Sequence, residues 1–84
     1  MPARRPTPSV DEAFGRVLAD LRHAKGLSQE QLGNDSGSGR TFISELERGK
    51  RGASLKTIFR LAPHLDVTPS QIVRKVERLR RGTT

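Results

Sequence analysis

Ser28-Gln29-Glu30-Gln31-Leu32-Gly33-Asn34-Asp35-Ser36, then Gly37-Ser38-Gly39, then Arg40-Thr41-Phe42-Ile43-Ser44-Glu45-Leu46-Glu47-Arg48 is the stretch on which the fold turns. Ser28 is a good N-cap and Gln31, three residues on, completes a capping box, which predicts a short helix over 29–36 with Leu32 as its single large apolar residue. Two glycines in residues 37–39 tolerate the positive φ that a sharp helix-to-helix connection needs. A further helix is predicted over 40–48, with Ile43 and Leu46 inward and Gly49 ending it, and with Arg48 and Lys50 beside its negative dipole end. Two short helices joined in this way make a helix-turn-helix, in which the first braces the second so that the second presents one face outward. On that face Arg40, Thr41, Ser44, Glu45 and Arg48 fall at i, i+1, i+4, i+5 and i+8, opposite Ile43 and Leu46.

The pattern continues on both sides. Upstream, Ser9 and Glu12 form another capping box, and Phe14, Val17, Leu18 and Leu21 recur at helical spacing. A helix is predicted over 10–25, with Gly26 just past its end and Leu27 folding back onto the last turn. Downstream, Ser54 caps a fourth helix whose apolar stripe reads Leu55, Ile58, Phe59, Ala62 and Leu65, with Pro63 weakening the last turn. Thr68-Pro69-Ser70-Gln71 starts a fifth helix, which carries Ile72, Val73, Val76 and Leu79 and a basic tail. Residues 1–8 hold three Pro, two Arg and no apolar period, so they read as a disordered arm; 81–84 read as a tail, leaving 9–80 as the folded domain. No strand pattern appears, so the fold class is all-α, with five helices.

Composition narrows the function. Eighty-four residues suffice for one small domain, with no room for a separate ligand-sensing domain. With no Cys, disulfides, Cys-based zinc sites and thiol nucleophiles are excluded. His23 and His64 stand 41 positions apart without ligand-like spacing, and no Ser, His and carboxylate make a recognisable triad, so neither a metal, a cofactor nor a catalytic residue is expected. No apolar run approaches the roughly 18 residues of a membrane span, and no apolar stretch follows the N-terminal arginines; a cytoplasmic protein without membrane contact is expected. The net charge is +7, and all of it lies in residues 37–84, where eleven cations face four anions; residues 1–36 balance at five and five. Excess charge confined to one part of a chain favours one face for a polyanion.

Three strings carry a resemblance: Leu27-Ser28-Gln29-Glu30-Gln31-Leu32; Arg40 through Lys50, with Ile43-Ser44-Glu45-Leu46-Glu47-Arg48-Gly49-Lys50 its most specific part; and Ser54-Leu55-Lys56-Thr57-Ile58. They resemble the phage repressor/Cro-type (XRE) helix-turn-helix regulators over roughly residues 14–73. The Arg40-Thr41-Phe42-Ile43-Ser44 opening is also similar to the restriction–modification controller proteins of that family. The resemblance implies a compact lambda-repressor-like domain, a homodimer and a palindromic site on double-stranded DNA. It implies that Gln29 braces the phosphate backbone, that Arg40 and Thr41, then Ser44 and Glu45, reach base edges, and that Arg48, Lys50 and Arg51 touch phosphates. It also implies a buried Arg22–Glu47 pair tying the first helix to the third, and a dimer-forming fifth helix. Three positions depart from the family pattern. Ser38 replaces an apolar plug, Gly39 a Ser or Thr cap, and Gly33 an Ala, which together imply a looser turn.

Individual residues keep alternatives. Arg40 suits guanine O6 and N7 as well as a phosphate, and Glu45 either accepts from cytosine N4 or pairs with Arg48 or Arg40. Phe42 either packs under the second helix or touches a thymine methyl. Val67, Ile72, Val73 and Val76 are the candidates for the dimer seam, to be divided between seam and core. Two recognition helices in successive major grooves require half-sites about 34–36 Å apart. The expected function is therefore a regulator of transcription, chiefly a repressor and in part of its own gene. The rival reading is an antitoxin that docks a toxin and represses its own operon, and a toxin or RNA polymerase is the further partner class considered.

Overall fold

The computed structural model describes residues 7–82. Most of the expected arm at 1–8, and the last two residues of the expected tail, lie outside the described residues. Five α-helices follow in order: α1 Val10–Ala24, α2 Gln29–Ser36, α3 Arg40–Glu47, α4 Leu55–Leu61 and α5 Pro69–Arg81, with a 3₁₀ turn at Ala62–Leu65 between the last two. α5 therefore includes Arg81, one residue past the boundary expected for the domain.

The starts are set by side chains. Ser9, Ser28 and Thr68 each accept from the N–H three residues on, and Glu12, Gln31 and Gln71 reach back to the cap N–H. α1 ends in a Schellman pattern, with Leu27 N–H donating to the Arg22 carbonyl and Gly26 N–H to that of His23. α3 ends in the same way, through Lys50 N–H to Glu45 and Gly49 N–H to Leu46.

Phe14, Leu18, Leu32, Ile43, Leu46, Leu61, Leu65 and Ile72 fill one core, with α1 lying against both α3 and α5. The inward face of α4 differs from the expected stripe. Leu55 is 68% and Phe59 58% exposed, while Thr57 and Leu61 are buried in their place. The helix carries apolar residues on two faces. Leu61, Ala62 and Leu65 take the inner one as Pro63 shifts the backbone into the 3₁₀ turn, which rolls Leu55 and Phe59 outward.

Two helix contacts are made by backbone. A Cβ on Gly15 would lie within 2.6 Å of the Glu47 carbonyl oxygen, and one on Gly33 within 2.5 Å of the Gly39 carbonyl carbon. Only glycine lets α1 approach α3, and α2 approach the turn, so closely. The expectation of a looser turn is reversed: Gly39 N–H donates to the Gly33 carbonyl at 2.9 Å, and Gly33 is where the turn presses on α2. Gly39 stands at φ 88, ψ 152, a region essentially reserved for glycine, and gives α3 no side-chain cap.

Candidate nucleic-acid interface

α3 is held from its inner edge. The Glu47 carboxylate accepts from Arg22 Nε at 2.6 Å and Nη2 at 3.0 Å, and from Gln29 Nε2 at 2.9 Å; Arg22 Nη1 donates to the Leu27 carbonyl at 2.9 Å. One carboxylate thus joins α1, α2 and α3. The Arg22 and Glu47 side chains are 10% and 7% exposed, so both charges are out of water and matched. Hydrogen bonding to Glu47 holds the Arg22 guanidinium above its ordinary pKa; burial acts the other way and the carboxylate's charge adds to the rise. Among the described residues no buried side-chain nitrogen or oxygen lacks a partner.

With Glu47 turned inward, the opposite edge of α3 is free. Arg40 and Thr41 are exposed in its first turn, Ser44 and Glu45 are half-buried one turn on, and Arg48 is the exposed C-cap. Lys50 and Arg51 are exposed in the following loop. These residues make one continuous edge. Gln29 stands apart from them: it is half-buried and its amide is bound to Glu47, so it belongs to the brace.

One neighbourhood differs from expectation and another gains a contact. Glu45 pairs with Arg51, Nε to Oε1 at 2.9 Å, and not with Arg48 or Arg40. The Schellman turn at Gly49 brings the chain back along α3, a proximity that helical spacing alone does not reveal. Phe42 is half-buried against the core with its outer face under the Arg51 guanidinium, whose carbon is 5.0 Å from the ring centroid. Arg60, not singled out from the sequence, donates from α4 to the Ser38 hydroxyl in the turn at 3.4 Å.

The candidate dimer residues separate. Ile72 and Val76, 2% and 9% exposed, pack in the monomer core. Val73 is 50% exposed and Val67 half-buried. Val73 shares a small apolar cleft with Val10 and Ile58, and Leu55 and Phe59 flank Ile58 on α4. The exposure of Leu55 and Phe59 was missed in the sequence because both had a place in a core stripe.

Comparison with known proteins agrees with this geometry. The pattern of the family described as "Helix-turn-helix domain" matches residues 13–74. An HTH-type transcriptional regulator of Sinorhizobium fredii, y4dJ, is 36% identical over 69 residues, 82% of this chain and 90% of that one. The control protein C.BamHI of Bacillus amyloliquefaciens is 34% identical over 68 residues, 80% of this chain and 84% of that one. Among solved structures, the restriction–modification controller C.AhdI of Aeromonas hydrophila matches with a TM-score of 0.70 at 46% identity, covering 73% of this chain and 92% of that one. These similar proteins are regulators and controllers, and the antitoxin reading gains no support from them.

Proposed function

This chain belongs to the helix-turn-helix domain family and is a DNA-binding transcription regulator; on that footing we propose that it works as a homodimer on a palindromic site in double-stranded DNA. The observation that carries this is the outward polar edge of α3, set opposite the Arg22–Glu47–Gln29 brace. A groove about 12 Å wide admits such a helix. Arg40, Thr41, Ser44 and Glu45 then face base edges, while Arg48 and Lys50 lie where phosphates pass. Residues 9–80 form the binding unit, extended by Arg81. The protein acts in the cytoplasm, where its duplex target lies, and no helix among the described residues is long and apolar enough to cross a membrane. A dimer seated over a promoter competes with polymerase for the same DNA, and repression, including of its own gene, is the mode of action in this reading. The reading needs no catalytic step, consistent with relatives that are regulators of transcription.

The dimer seam in this reading is the surface of Val10, Leu55, Phe59 and Val73. Four large apolar residues more than half or half exposed on so small a chain call for a cover, and a second copy offers an identical face. Selection of sites from random duplex DNA at stated salt tests the proposal. A consensus with two-fold symmetry and half-site centres one helical turn apart is expected, and an unstructured pool overturns it.

A further inference from the structure

Arg51 lies beyond the end of α3, yet it is folded back onto it. Its Nε donates to Glu45 Oε1 at 2.9 Å while its guanidinium covers the Phe42 ring. Phe42 and Glu45 are i and i+3 on α3, so one planar cation spans both. The backbone beneath is fixed as well, by Gly49 at φ 71 and by Lys50 N–H to the Glu45 carbonyl at 3.0 Å. The ring in turn leans on the core.

This arrangement answers a difficulty. A carboxylate on a surface that meets phosphates is repelled unless its charge is matched, and an unheld Glu side chain is spread over several rotamers. Arg51 does both tasks: it supplies the opposite charge and fixes Oε1. Among the described residues Glu45 Oε2 takes no hydrogen bond.

We infer that Arg51 is a positioning residue for base recognition: seated on Phe42 and bonded to Glu45 Oε1, it presents Glu45 Oε2 as a fixed acceptor for an exocyclic amino group in the major groove, of which cytosine N4 is the matching donor. The inference rests on the proposed entry of α3 into that groove. It replaces, for Arg51, the phosphate contact implied by the family resemblance. Its guanidinium is a structural part of the reading edge, and lysine, a point charge without a planar fork, is a poor substitute.

Site selection from random duplex DNA with the wild-type chain, R51A, R51K, E45Q and the R51A/E45Q double variant, together with salt slopes on the wild-type site, tests this. The wild type is expected to prefer a C·G pair at one position in each half-site. E45Q and R51A should each reduce that preference about tenfold and leave other positions unchanged. R51K should behave nearly as R51A, and the double variant no worse than either single one. If R51A weakens all sequences alike and lowers the slope of log K against log salt by about one unit, Arg51 is a phosphate contact and the inference fails. Full retention of the preference by R51K, additive losses in the double variant, or a wild-type consensus unchanged at every pair by R51A overturns it equally. A wild-type pool without any consensus overturns the reading of α3 itself.

Discussion

Glu47 accepts three hydrogen bonds from two other helices, and its side chain is almost wholly withdrawn from solvent. Glu47→Ala leaves the Arg22 guanidinium buried without its counter-ion, which is expected to cost about 3–5 kcal/mol. Urea unfolding should show the loss as a lower midpoint, while the variant, under conditions where it folds, keeps the wild-type sequence preference. Because the Arg22 pKa is raised, the pair's contribution from that side is fully present below the ordinary arginine value and is lost only above it. Stability between pH 6 and 9 should therefore be insensitive to Arg22 ionisation. On the outer edge the expectations invert. Arg40→Ala should leave the unfolding midpoint nearly unchanged and cost about 1–3 kcal/mol of binding at a single base pair. Lys50→Ala should weaken every sequence alike and reduce the salt slope by about one unit. The residue pairs legible in the sequence were those fixed by family pattern, such as Arg22 with Glu47. The Arg51–Glu45 pair was not, because it depends on the direction the chain takes after Gly49.

At the scale of elements, the starts of α1, α2 and α5 were legible because each is written in a Ser or Thr followed three residues later by Glu or Gln. The rotation of α4 was not. With Ile58 and Ala62, either Leu55 and Phe59 or Thr57 and Leu61 complete a helical stripe; the packing turns the second pair inward. Gly33 was legible as an oddity whose sign was wrong. An alanine there favours the isolated helix by about 1 kcal/mol, but its methyl group would press on the backbone of Gly39 and Arg40. Overpacking of this kind costs about 1–3 kcal/mol, so Gly33→Ala should lower stability despite its helix propensity. Gly39→Ala should do so by about 1–3 kcal/mol through backbone strain alone. Denaturant midpoints of the two variants measure both effects.

For the whole molecule, the reading edge of α3 and the uncovered apolar residues belong to different elements of one small body. The basic loop after α3 adjoins the reading edge, and Val10, Leu55, Phe59 and Val73 stand on α1, α4 and α5. A symmetric pair that buries the second surface leaves two copies of the first for one duplex. Leu55→Glu and Phe59→Glu place a charge in the proposed seam without touching the core, so each should yield a folded monomer by sedimentation. Binding to a palindromic site should then fall steeply, while binding to a single half-site changes little. Dimerisation enters as an expectation from the family resemblance; of the four candidates left to be divided between seam and core, Ile72 and Val76 fill the monomer core while Val73 is half-exposed.

The backbone seating of α3 has one more consequence. Gly15 lets main chain of α1 touch main chain of α3, Gly33 does the same for the turn, and Glu47 locks the inner side. None of these supports involves the side chain of Arg40, Thr41 or Ser44. The address a helix reads can then be rewritten by exchanging those outer residues while its mounting stays as it is, and drift in target preference among such chains need carry no toll in folding.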